Sequence, residues 1–263
     1  MSARLRHIYA RALPNGAFDA VRQIVLFMAA YEGYGLVRGA VQGKDAAAFA
    51  HARELISVER TLHFFVEPSV QAWASGSHFA MDAASWIYIN AQTSVTFGAL
   101  VFLYLFHNRS FYYVRNMFLV AMVIALAAYV AFPTAPPRLM PEWGFFDSIA
   151  AFTGLPAKSG PVNAFFNQYA AVPSMHVAFA VMISVPLVKL ARWRATKAFW
   201  AVYPLVITFV TVATANHFLA DAILGAMTAG LSAYAARWLA RTRPHVWRFE
   251  SRATTPAPAG AVA

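Results

Sequence analysis

Residues 111–132 read FYYVRNMFLVAMVIALAAYVAF, an apolar run carrying a single charge, Arg115. At about 1.5 Å per helical residue, a run of this length crosses a hydrocarbon core about 30 Å thick. Working outward, five more stretches have this character: near Val21–Val41, Phe79–Phe106, Ser174–Leu190, Ala198–Ala215 and His217–Leu239. The first of these has Arg22 and Arg38 near its ends and Glu32 near its middle, and it still reads as a spanning anchor rather than a cleaved signal peptide. The predicted fold class is therefore an all-α integral membrane protein, a bundle of six transmembrane helices.

Composition supports this reading and closes off others. Of the 263 residues, 60% are hydrophobic and 12% charged, against about 45–50% and about 25% in a soluble domain. The formal charge of +10 would suit a nucleic-acid binder, but the basic residues are set between bilayer-length apolar runs, so no nucleic-acid partner is expected. With no cysteine, disulfides, thiolate metal sites and thiol nucleophiles are excluded, and any chemistry must come from His, Asp, Glu, Arg or hydroxyl groups. Residues 1–248 are expected to form one membrane domain, and the Ala/Pro/Thr-rich tail at 249–263 to be disordered.

Six spans place both termini and the loops after spans two and four on one side. That side collects 15 of the 21 Lys and Arg residues, which makes it cytoplasmic by the positive-inside rule. The expected location is a bacterial-type plasma membrane. Between the first two spans, Leu55, Val58, Leu62, Phe65 and Val66 recur at helical spacing, with Glu54, Glu59, Arg60, His63 and Glu67 on the other face. This predicts an amphipathic interfacial helix ended by Pro68, its Glu59/His63/Glu67 side an ordinary ion-pair face rather than a metal site. The long stretch Pro133–Pro173 is too rich in Phe and Trp for a disordered linker and too long for an idle loop.

Three polar islands interrupt the apolar pattern on the outer side: Pro133-Thr-Ala-Pro-Pro-Arg138, Pro173-Ser-Met-His176 and Asn216-His-Phe-Leu-Ala-Asp221. The 41 residues from His176 to His217 run down one span and back up the next, returning both imidazoles to one membrane face. His217 and Asp221, four apart, would share a helix face, the carboxylate holding one ring nitrogen protonated while the other attacks. Ser174 is placed as a helix N-cap, where hydroxyl and amides can face an anion. His176 in the next turn could protonate a leaving oxygen, and Arg138 after its Pro-Pro lead offers a bidentate cation to phosphate. Taken singly, each island could equally be bundle glue. Together they describe a phosphoryl-transfer site on the outer face that calls for no metal or cofactor.

The order Pro-Pro-Arg, Pro-Ser-x-His, His-x-x-x-Asp resembles the type 2 phosphatidic acid phosphatase superfamily of six-helix membrane phosphoesterases. Within it, Thr-Ala-Pro-Pro-Arg, Pro-Ser-Met-His and Asn-His-Phe-x-x-Asp resemble the inositol phosphorylceramide synthase branch. The resemblance is close over roughly Leu100 to Leu239. It implies that His217 forms a phosphohistidine with Asp221 as its partner, that His176 is the general acid and base, and that Arg138 and Ser174 cradle the phosphate. Phosphatase members usually carry Lys seven residues before that Arg and Arg six before the nucleophilic His; here Ala131 and Thr211 stand there, and Met175 replaces a usual Gly. Two missing phosphate-binding cations suit a phosphodiester donor, so the expected partners are a membrane phospholipid such as phosphatidylinositol and a lipid or small-alcohol acceptor.

Lys158 in the long loop is a candidate to replace the missing cations. Glu32, Asn90 and Gln92 should face the bundle interior, and Trp86, Trp143, Trp193, Trp200 and Trp238 fit interfacial anchoring. A lipid phosphate phosphatase is the alternative within this chemistry. A non-enzymatic lipid transporter is the alternative outside it, although neither inverted repeats nor broken helices are evident.

Overall fold

The computed structural model describes residues 13, 15–40, 45–154 and 169–243; Lys158 and the 249–263 tail lie outside the described residues. The described chain is all helical. Its elements are α1 (Gly16–Ala40), α2 (Asp45–Thr61), α3 (Glu67–Ser75), α4 (His78–Phe106), α5 (Asn108–Ala131), the short α6 (Ser148–Thr153), α7 (Met175–Leu190), α8 (Arg194–Ala213) and α9 (Leu219–Thr242). Two 3₁₀ turns, Pro137–Leu139 and Pro141–Trp143, follow α5.

Among the described residues, four helices are long and apolar enough to cross a membrane: α4, α5, α8 and α9. Helix α7 is apolar but has 16 residues, about 24 Å of rise against a core of about 30 Å. Helix α1 has 25 residues but includes Asp19, Arg22, Glu32 and Arg38. It docks on the end of α4 and the start of α5 through polar groups: Asp19 accepts from the hydroxyls of Tyr104 on α4 and Tyr112 on α5, and Arg115 Nη1 donates to Gln23 Oε1 at 2.5 Å. Its apolar contacts to the bundle run as far as Ala30. Glu32 lies past that contact and is exposed, so it does not face the interior as its sequence context suggested.

The sorting of side chains inside the bundle follows membrane rather than aqueous physics. Along α9 the buried stripe is Asp221, Ala222, Gly225, Thr228, Ala229, Ser232 and Ala236, all of them small or polar. Ile223, Leu224, Met227, Leu231, Tyr234 and Trp238 point outward on the same helix. Water would make that outer surface costly, whereas lipid tails are as apolar as leucine, and small residues let backbones approach closely. The main core sits where α4, α5, α7, α8 and α9 meet, with Phe118, Leu103, Met182 and Ile183 fully buried.

The same inversion corrects the reading of residues 45–75. Helix α2 buries Ala48, Ala52, Ile56 and Glu59, while Val58 and Leu62 are exposed. The chain breaks after Thr61, where His63 takes a left-handed φ of 59°, and Pro68 begins α3 instead of ending a helix. The predicted ion-pair face is not one. Glu59 and Glu67 are wholly buried, and neither pairs with a cation among the described residues. Of the aromatic anchors, Trp86, Trp193 and Trp238 are exposed, whereas Trp143 is packed edge-on to Phe65 beneath Arg60 and Trp200 lies against Tyr203.

A second, smaller core caps one end of the bundle. It joins Ala48, Ala52 and Ile56 of α2 to Ala135, Met140, Phe145, Ala215 and Phe218. The first and third polar islands are therefore fastened from outside as well as from within.

Candidate active site

The turn between α8 and α9 is built by backbone bonds that fold the chain back on itself. The Thr211 carbonyl accepts from the amides of Asn216 at 3.0 Å and His217 at 3.2 Å, and Ala215 takes a left-handed φ of 52°. A non-glycine residue held there costs about 1 kcal/mol, which the surrounding contacts must offset. His217 thus precedes α9 rather than standing on it, so shared helix-face spacing is not what pairs it with Asp221. Phe218 is the N-cap, and Asp221, three residues on, reaches back to accept its amide at 2.9 Å. The same Oδ2 lies 3.4 Å from His217 Nδ1. A capping turn, not a helical i,i+4 ladder, brings imidazole and carboxylate together.

Ser174 is the N-cap of α7, its hydroxyl accepting from the Val177 amide at 3.5 Å. Its own amide donates to the Asp221 carbonyl at 3.0 Å, which ties the second island to the third. That close approach depends on Gly225: a β-carbon there would lie 2.3 Å from the Ser174 carbonyl oxygen. His176, in the first turn of α7, stands edge-on to His217 with 5.6 Å between ring centroids. Its face stacks on Tyr88 of α4 at 4.3 Å. Beneath it, a narrow crevice between α4, α7 and α8 is lined by Tyr88, Gln92, Tyr203 and Thr211 among others. Gln92 therefore faces inward as expected, while Asn90 is half-buried and donates to the Trp86 carbonyl.

The first island is held on three sides. His51 Nδ1 lies 2.7 Å from the Pro133 carbonyl, which can only accept, so that nitrogen carries the proton. The Thr134 amide donates to the Tyr169 carbonyl at 2.8 Å, and the Arg138 amide to the Ala215 carbonyl at 2.7 Å. The Arg138 guanidinium donates through Nη1 to Asn216 Oδ1 and lies 3.5 Å, through Nε, from Asp147 Oδ2. Asp147 is itself fixed as the N-cap of α6, accepting the amides of Ile149 and Ala150. Ser148 donates to the Thr214 carbonyl at 3.0 Å, closing the loop onto the same turn.

His176, His217, Asp221, Ser174 and Arg138 thus belong to one hydrogen-bonded and packed cluster. Sequence reasoning missed Asp147, Asn216 as the Arg138 partner, His51 and Gly225. Only Asp147 carried a local signal, an acidic residue directly before Ser-Ile-Ala. Ala131 is exposed at the end of α5, and Thr211 is wholly buried with its hydroxyl bonded to the Thr208 carbonyl, so neither supplies positive charge. Among the described residues, no group of three His, Cys, Asp or Glu side chains is arranged to hold a metal ion.

A helical, lipid-facing bundle with two histidines, a paired aspartate and a tethered arginine at one end has the parts of a membrane phosphoesterase or phosphotransferase. The chain belongs to the PAP2 superfamily, whose family model matches residues 53–235. Members are generally phosphatase-type enzymes. No curated protein and no solved structure matches the chain.

Proposed function

We propose that the protein is a lipid phosphotransferase that moves a phosphorylated headgroup from a phospholipid diester to an alcohol acceptor through a histidine intermediate. The observation that carries this reading is the meeting of the His176 and His217 rings at 5.6 Å, with Asp221 on the Nδ1 edge of His217. The Asp221 carboxylate holds the proton on Nδ1, and Nε2, on the opposite edge of the ring, attacks phosphorus. The N–P bond forms as the P–O bond to diacylglycerol breaks, and His176 gives its proton to that oxygen. His176, now neutral, takes the proton of the acceptor hydroxyl, whose oxygen displaces His217 from phosphorus. Ser174 and the first turn of α7 face the phosphate oxygens, and Arg138 balances their charge. The bundle is read as six spans, α1, α4, α5, α7, α8 and α9, with the site at the outer leaflet.

The diester preference is supported by Ala131 and Thr211, neutral where phosphatase relatives place cations. With phosphatidylinositol labelled at phosphorus and ceramide as acceptor, the purified protein should move label into a new lipid in the presence of a chelator. Release of phosphate from phosphatidate without transfer would favour the phosphatase reading. No turnover on either lipid, with lipid flux in vesicles, would replace both by a transporter.

The Asp147 contact gives a second expectation. Asp147→Asn keeps an N-cap for α6 but removes the charge facing Arg138. It should raise KM for the labelled donor about fivefold to tenfold with little change in melting temperature, because one charge-assisted contact contributes about 1–1.5 kcal/mol where it is partly exposed. An unchanged KM would mean that Arg138 does not need Asp147 to hold its position.

A further inference from the structure

Three buried carboxyl groups converge on the first turn of α9. Asp221 Oδ2 accepts the amide of Phe218 at 2.9 Å, Glu67 Oε1 that of Leu219 at 2.7 Å, and Glu59 Oε1 that of Ala220 at 2.8 Å. A helix N-terminus leaves its first amides without internal partners, and here consecutive ones are taken by acids from three separate helices. This end of α9 is thereby closed to a substrate anion. Glu59 and Glu67 reach it from α2 and α3, across more than 150 residues of sequence.

Each acid has one oxygen on an amide and another, buried, with no hydrogen-bond donor: Glu59 Oε2, Glu67 Oε2 and Asp221 Oδ1. Three ionised carboxylates this close, next to a site that must admit phosphate, would repel both one another and the substrate. The charged groups facing Glu59 are Glu67 from α3 and Asp221 from α9; Arg60, its neighbour on α2, is exposed and lies over Trp143 at 5.7 Å. A proton on one glutamate converts two competing acceptors into a donor and an acceptor.

We propose that Glu59 and Glu67 form a carboxyl–carboxylate pair sharing one proton, and that this pair clamps the first turn of α9 and so positions His217. The inference rests on the reading of His217 as nucleophile. Both glutamates are positioning residues that act through the α9 backbone, Glu67 two residues and Glu59 three residues beyond the imidazole. Burial, reinforced by the Glu67 charge, pushes the Glu59 carboxyl up to about 9, and burial also raises Glu67. The folded state therefore holds a proton that the unfolded chain, with a carboxyl near 4.5, gives up sooner. Stability from the pair is fully present below that unfolded value and is lost as pH rises through the folded one.

The test compares the full-length wild type with E59Q, E59A, E59Q/E67Q and H217A, using phosphorus-labelled phosphatidylinositol and phosphatidate in mixed micelles. A glutamine offers the same donor and acceptor as a protonated glutamate. E59Q should keep kcat within about threefold at pH 6.5 and show a shallower decline than wild type in kcat and melting temperature towards pH 9, the remaining decline in kcat being loss of the His176 proton that the leaving oxygen needs, whereas E59A should lose about 100-fold in kcat with KM little changed, the scale of a misplaced reacting group. E59Q/E67Q, with no carboxyl left in the pair, should show the same shallow pH profile as E59Q. If E59A does not fold, the E59Q pH profile and the wild-type melting curve decide the matter. A folded E59A with wild-type kcat, an E59Q as impaired as E59A at every pH, or a wild-type melting temperature flat from pH 5 to 9 would overturn the clamp. Turnover surviving in H217A would instead remove the nucleophile on which it rests, and an inactive H217A beside a fully active E59A would remove the clamp alone.

Discussion

His217→Ala is expected to lower turnover of any lipid phosphate substrate by at least about 10³-fold, while His176→Ala is expected to be rescued by an easier leaving group. The two rings are neighbours, yet they do different work in the proposed cycle. Loss of a nucleophile removes the covalent route altogether. Loss of a general acid costs about 10²–10⁴-fold with an alkoxide leaving group, but little when the departing oxygen needs no proton. The first-turnover burst of p-nitrophenol from a p-nitrophenyl phosphodiester should therefore keep most of its rate in His176→Ala and none in His217→Ala, while steady turnover in His176→Ala still lacks the base for the acceptor proton. Equal rescue of both variants would show that the roles are not divided in this way. Each variant should remain folded, since His176 is only half-buried and, without the His217 ring, the buried Asp221 still accepts the Phe218 amide.

Gly225→Ala is expected to be the most damaging change outside the reacting groups. The added β-carbon would meet the Ser174 carbonyl oxygen at 2.3 Å, and both partners are backbone in well-packed helices. Either α7 or α9 must shift by about 1 Å, at about 1–3 kcal/mol for overpacking. That shift acts on the hydrogen bond from Ser174 to the Asp221 carbonyl and on the spacing of His176 and His217. A displacement of about 1 Å at reacting groups can cost about 100-fold in rate. Gly230, on the same helix, has nothing within 4 Å of its β-position, so Gly230→Ala serves as the control. Comparable losses in the two variants would locate the damage in the helix rather than in the contact.

The apolar runs and the three islands were legible because both signals are local. Bilayer-length hydrophobicity marks a span whatever it packs against, and Pro-Pro-Arg, Pro-Ser-Met-His and Asn-His carry their residue types in adjacent positions. What the islands hold on to was not legible. Asp147 finds Arg138 through a folded loop, and Glu59 and Glu67 find α9 across most of the chain, so no spacing rule exposes either contact. The face of α2 was misread for a physical reason. Leu55, Val58 and Leu62 form the stripe a soluble protein would bury, but in a bundle solvated by lipid the small residues Ala48 and Ala52 turn inward and carry Glu59 with them. His217 and Asp221 were paired correctly for the wrong geometric reason, since a capping turn and a helical face both bring residues four apart together.

The proposed cycle turns on a covalent bond between His217 and phosphorus. Wild-type protein quenched during turnover of phosphorus-labelled phosphatidylinositol should carry an acid-labile, base-stable label, and mass spectrometry should place it on the peptide containing His217. It should be absent from His217→Ala, and should accumulate in wild type when no alcohol acceptor is supplied. Turnover at the wild-type rate with no protein-bound label, or label recovered on His176 instead, would contradict the mechanism.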